Sequence, residues 1–219
     1  MKNLVIFGVG DIAQIARYYF EKDTKYRVVA FCLDDEYIKD DRYDGLPLIS
    51  FSNLNQTHPP SENDFFAAIS YSEMNKLRHR KFDEAQSKGY SLASYISPDC
   101  TYRSQFKPGL NCFIFEDNTI QPFVKIGDNV TMWSGNHIGH HSIIESHNFI
   151  SSHVVISGHC TIKSHSFLGV NATLAHNVTI EEETLVGAGA VISKDTITKG
   201  VYVAPRSVLL EKTSDQFKL

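Results

Sequence analysis

Counting every sixth residue from Ile114 gives Ile120, Ile126, Met132, Ile138, Ile144, Ile150, Ile156, Ile162, Leu168, Leu174, Ile180, Val186 and Ile192, fourteen aliphatic positions without a break. Four residues after most of them stands a small or β-branched residue, among them Val124, Val130, Ser142, Val154, Cys160, Ala172 and Val178. This is the hexapeptide pattern of a parallel β-helix. Three hexads make one triangular coil, so residues eighteen apart stack directly, and the strand spacing of about 4.8 Å becomes the rise per coil.

The same frame sorts the histidines. His141, His147, His153, His159 and His165 all stand three places after an aliphatic residue, where the chain turns outward, and read as turn-face residues. His140 lies one place earlier in its hexad, as does His176 two coils on. Two coils correspond to a rise of about 9–10 Å, too far for both to hold one metal ion within a subunit.

Upstream the pattern changes. "KNLVIFGVGDIAQIARYYFEK" reads as a strand, a glycine turn and an amphipathic helix, and "YRVVAFCLDD" as a second buried strand ending in Asp34 and Asp35. The turn is G-x-G-x-x-A, with Gly8, Gly10 and Ala13. A helix N-terminus at such a turn can hold phosphate, and an acid at the next strand end can hold a sugar hydroxyl or a base. The bland alternative is a tight turn at Gly8 and Gly10 with Asp34 and Asp35 capping a strand end. A third strand "DFFAAIS", a helix over 73–89 and a fourth strand "SLASYIS" complete a Rossmann-like α/β domain over 1–95. No second mononucleotide-binding half follows. The β-helix is expected over 96–205 and a tail over 206–219.

Whole-chain numbers exclude several classes. A formal charge of −4 and a pI near 6.2 give no footprint for nucleic acid or an anionic membrane. Cys32, Cys100, Cys112 and Cys160 contain no C-x-x-C pair and read as reduced thiols in a cytoplasmic protein. The apolar opening "LVIFGVG" is too short to span a bilayer and has no small-residue cleavage site.

The α/β opening "VIFGVG", the strand end "LDD", the segment "AAISYSEMNKLRHRKF", the join "YISPDC" and an unbroken hexapeptide array carrying "GHHS" together resemble bacterial sugar acetyltransferases. The branch contains the bacillosamine-pathway and 4-amino-4,6-dideoxy sugar N-acetyltransferases and the sialic acid O-acetyltransferases. The resemblance implies an N-terminal domain holding the nucleotide of a UDP- or dTDP-linked sugar. It also implies a left-handed β-helix that forms a homotrimer, with acetyl-CoA along the groove between subunits and no metal. It places the catalytic histidine on His140, with His141 where the family usually has an acid. Acetyl-CoA contacts fall on Phe149, Gly158, Val170 and Ala188, and nucleotide-sugar contacts on Gly8, Gly10, Asp11, Asp34 and Asp35.

The chemistry needs little apparatus. An amine or hydroxyl attacking a thioester requires a proton acceptor, and imidazole is suited to that near neutrality. Cys160 sits at an inward small-residue position and reads as packing rather than nucleophile. Lys194, Lys199 and Arg206 are either partners for the CoA phosphates or solvated charges; Trp133 either lines the sugar pocket or covers an interface. The expected activity is N-acetylation of a nucleotide-linked amino-deoxy sugar at C4, for surface glycan synthesis, by direct transfer. Sugar O-acetylation is the alternative. A γ-carbonic-anhydrase-like metalloenzyme is a third class, with His140 and His176 as ligands and Glu181 in the third position.

Overall fold

The computed structural model describes residues 1–211 and 213–216; the rest of the expected tail lies outside the described residues. The chain opens with β1 (Lys2–Phe7), α1 (Asp11–Asp23), β2 (Tyr26–Leu33), β3 (Arg42–Tyr43), β4 (Leu46–Ser50), α2 (Leu54–Thr57), β5 (Asn63–Ala67) and α3 (Lys76–Ser87). These form one sheet in the order β3-β4-β2-β1-β5, parallel except for the β3–β4 hairpin. The hairpin turns at Asp44 and Gly45, both at positive φ, a D-G signal that the sequence reading passed over. β1 is an interior strand between β2 and β5, and its Leu4, Val5 and Ile6 are fully buried between α1 on one face and α3 on the other.

The expected fourth strand is corrected. Leu92 makes only an isolated bridge to Phe65, while Tyr95–Ile96 pairs with Phe113–Ile114 and is already part of the β-helix. "SLASYIS" therefore passes its backbone pairing from the α/β sheet to the β-helix, while Leu92, Ala93 and Tyr95 stay packed in the clusters flanking the N-terminal sheet.

From Tyr95 to Tyr202 the chain forms two-residue strands, separated by four-residue corners throughout Phe113–Ile192 and by longer connections immediately before Phe113 and after Ile192. They stack into three parallel sheets of four, seven and six strands. Partners are eighteen residues apart, as in Ile126↔Ile144 and Ile144↔Ile162. The fourteen hexad aliphatics are at most 6% exposed and form one core. Three inward positions hold asparagine instead of a small apolar residue. Asn118 accepts from the Asn136 backbone, Asn136 from Val154 and Asn148 from Ser166, so their side chains extend the backbone ladder.

The corners explain the histidine ladder. One residue in each, every sixth from Asn111 to Gly189, has φ between 53° and 78°. Among side chains that reach this left-handed region, Asn, Asp and His are enriched. His141, His147, His153, His159 and His165 share these positions with Asn111, Asn129, Asn171 and Asn177. The period of six among the histidines is thus a backbone requirement.

α3 ties the two parts together. The Arg78 side chain, 1% exposed, donates to the carbonyls of Ile69 and Ser70 in its own domain and to those of Asn129 and Asn148 in the β-helix. Its Nε donates to Asn129 Oδ1 at 3.1 Å. Burial pulls this guanidinium down to about 9. Lys76 pairs with Glu183 at 2.7 Å on the same side.

Candidate active site

His140 stands on the corner joining the strands His137–Ile138 and Ile143–Ile144. Its backbone N–H donates to Gln121 Oε1 at 2.9 Å, and its Nδ1 lies 3.0 Å from His141 Nδ1. The ring covers Gly158, one coil on: a Cβ there would come within 2.8 Å of His140 Nε2 and Cε1. Only glycine permits this placement. His141 stacks on His159 at 4.8 Å and lies 4.6 Å from Phe123. His140, His141, His159 and His176 are all exposed.

The ring centroids of His140 and His176 are 6.4 Å apart, nearer than the rise of two coils, because His140 leans across the bare Gly158. The two rings are therefore closer than the rise of about 9–10 Å between their backbones. Glu181 is engaged elsewhere, accepting from Lys163 at 2.8 and 2.9 Å. Among the described residues, the histidine triads with donor atoms close enough for a metal ion are His140, His141 and His159, and His79, His147 and His165. In the second triad His79 comes from α3. Its Nδ1 is 2.9 Å from His165 Nε2, and its ring stacks on His147 at 3.5 Å.

The acetyl-CoA positions do not converge within one chain. Gly158 lies under His140, while Val170 and Ala188 are exposed and stacked on a different corner. Gly169 allows that stacking, since a Cβ there would meet the Ala188 nitrogen at 2.6 Å. Phe149 is not on that surface. It is 3% exposed, stacked on Phe167 and met edge-on by Tyr71 of the N-terminal domain. An aromatic side chain on that sheet face serves the domain junction.

The nucleotide-sugar positions are better gathered. Gly8, Gly10, Asp11 and Asp34 line a cleft of about 400 Å³ at the N-terminus of α1. Gly8 (φ 123°) packs so closely that a Cβ would sit 2.7 Å from the Ala68 carbonyl oxygen. Gly10 caps α1 without a side chain, leaving first-turn N–H groups for an anion. Asp34 is fixed by Lys81 at 2.7 Å. Asp35 is not a lining residue: its carboxylate accepts from Ser50 and from Ser52 (2.8 Å), and these bonds hold it below the usual range. Two adjacent acids thus have separate tasks. Cys160 is fully buried, and burial pushes its thiol up, in keeping with packing.

Arg78, Asn75 and His79 were absent from the sequence reading. The visible signal was "EMNKLRHR": Glu73, Met74 and Asn75 form a left-handed run before α3, and Asn75 Nδ2 donates to the Ser166 carbonyl.

Residues 159–194 match the family described as bacterial transferase hexapeptide (six repeats). No curated protein matches the chain in sequence. Among solved structures, the acetyltransferase domain of PglB from Neisseria gonorrhoeae FA1090 superposes with a TM-score of 0.81 at 21% identity, covering 93% of this chain and 97% of that one. WeeI from Acinetobacter baumannii AYE gives 0.79 at 16% identity, covering 93% and 97%. PerB from Caulobacter crescentus, solved with CoA and GDP-perosamine, gives 0.64 at 21% identity, covering 93% and 95%. Residues 159–194 thus match the hexapeptide model, and the chain as a whole, a left-handed parallel β-helix behind an α/β domain, has the fold of these structures.

Proposed function

We propose that this protein transfers the acetyl group of acetyl-CoA to the C4 amine of a UDP- or dTDP-linked amino-deoxy sugar, in the cytoplasm, for surface glycan synthesis. The observation that carries the reading is the exposed His140 imidazole, whose backbone N–H donates to Gln121, whose Nδ1 pairs with His141, and which lies over a glycine with no Cβ to displace it. His140 Nδ1 is engaged with His141 Nδ1 at 3.0 Å, so Nε2 is the nitrogen left to take the proton of the attacking amine. His141 thereby orients the His140 ring, the part of an acid's task that needs no charge. Acetyl-CoA supplies the acyl group already activated. Cys160 is enclosed in the core, so transfer is direct.

The nucleotide phosphates rest on the first turn of α1 and the sugar or base hydrogen-bonds Asp34. His140 does not line that cleft, and Val170 and Ala188 stand on another corner, so a neighbouring copy completes each site in a homotrimer. PerB, similar in fold, was solved with CoA and a nucleotide-linked amino sugar. Among the described residues no helix is long and apolar enough to cross a membrane.

The test is acetyl transfer to UDP- and dTDP-linked 4-amino-4,6-dideoxyglucose and to the matched 4-hydroxyl sugars, with light scattering on the active species. Transfer to the amines by a trimer is expected. Preference for the hydroxyl sugars would make the enzyme an O-acetyltransferase, and an active monomer would refute the shared site.

A further inference from the structure

A second cleft of about 340 Å³ lies between α1 and the β-helix, lined by Gln14, Ile15, Tyr18, Tyr19, Glu116 and Trp133 among others. Asp11, Gln14, Ile15 and Tyr18 fall at steps of three and four along one face of α1, so this cleft continues the face whose N-terminal end borders the Gly10–Asp34 cleft. The rise from Asp11 to Gln14, where the second cleft begins, is about 4.5 Å, within reach of a hexose joined to a phosphate on the first turn of α1.

The lining has the two elements that recognise a hexose. Trp133 packs edge-on to Phe115 at 4.8 Å and presents an aromatic wall to the cleft. Beside it on the same β-helix wall, facing α1, stands a preset carboxylate, for Glu116 accepts from Tyr19 Oη at 2.8 Å and from Ser134 Oγ at 2.5 Å. Burial acts to raise Glu116, yet the bonds from Ser134 and Tyr19 keep it below the usual range. Each carboxylate oxygen retains acceptor capacity for a ligand hydroxyl or amine.

Resting on the proposed function, we propose that this aromatic cleft is the hexose subsite of the acceptor, with Trp133 as stacking wall and Glu116 as the hydrogen-bond acceptor that selects the sugar. The nucleotide stays at the Gly8–Asp34 cleft, and the two subsites divide recognition along α1.

Trp133 is the only tryptophan in the chain, so its fluorescence reports on this cleft directly. Full-length protein is titrated with UDP- and dTDP-linked 4-amino-4,6-dideoxyglucose, with UDP or dTDP alone, and with CoA, while calorimetry records binding. The nucleotide sugar is expected to change the emission, and the free nucleotides and CoA to leave it unchanged. Glu116→Gln is expected to weaken nucleotide-sugar binding about tenfold, as for loss of a charge-assisted hydrogen bond, with free-nucleotide affinity unaltered. Nucleotide-sugar binding without an emission change, or a response to CoA or bare nucleotide, overturns the subsite while leaving the proposed function standing. Absence of any nucleotide-sugar binding overturns both.

Discussion

His141 and His147 stand at the same step of the repeat, with φ of 61° and 65°, and end in different chemical situations. His141 is exposed beside His140, His159 and Phe123. His147 is 8% exposed, stacked under His79 of α3, and its Nδ1 accepts from Asn129 Nδ2 at 3.0 Å. Burial, then the neighbouring His79 and His165, lower His147 to about 3. The ladder delivers histidine to every corner for a backbone reason. What is packed over the corner decides whether that imidazole can handle a proton or is held neutral as part of an interface.

The strongest way to break the comparison is to remove what covers the buried triad. Arg78→Ala leaves the carbonyls of Ile69, Ser70, Asn129 and Asn148 without their donor. At about 1–3 kcal/mol for each unsatisfied buried group, partly relieved by water, a loss of about 3–5 kcal/mol is expected. Thermal melting of the variant checks it; an unchanged Tm would mean that α3 does not lock the domains.

Acid provides a graded version. Above about pH 6.5 His147 is neutral both folded and unfolded, and the packed arrangement has its full stability. Below that the unfolded chain binds a proton that the folded chain refuses, so stability falls with decreasing pH until about pH 3. The slope from this one group approaches ~1.4 kcal/mol per pH unit, and His165, also lowered by burial and His79, adds to it. His147→Asn should flatten the decline in Tm between pH 6.5 and 5; an identical slope would assign the acid sensitivity elsewhere.

The smallest effect belongs to His153, an exposed ladder residue at φ 58°. His153→Asn keeps the left-handed preference and should shift stability by only about 0.5 kcal/mol or less, with kcat unchanged. A large loss in either would show that the ladder positions carry more than backbone geometry.

How much of this was legible depended on distance along the chain. The β-helix was readable because its contacts repeat at a fixed interval, so Ile126, Ile144 and Ile162 announce their own stacking. His140 stood out for the same reason, one place off the ladder. The covered triad was not legible: His79 reaches His165 from 86 residues away, and "KLRHRKF" reads as any amphipathic helix. Asp34 and Asp35 were indistinguishable in sequence, because the choice between Lys81 and the Ser50–Ser52 pair depends on how the chain turns after β2. Phe149 was not legible as a junction residue, because Tyr71, which packs edge-on against it, lies far away along the chain.

The central claim is that the open corner performs the chemistry and the covered one holds the domains. Measuring kcat, both KM values and Tm for His140→Ala and His147→Ala side by side addresses it directly. The account predicts that His140→Ala keeps its Tm and loses kcat by about 10²–10⁴, the contribution of a general base, with little change in either KM. His147→Ala should lower Tm and leave the kcat of the folded enzyme near that of the wild type. A His140→Ala enzyme that turns over normally, or a His147→Ala enzyme that is stable but inactive, would contradict it.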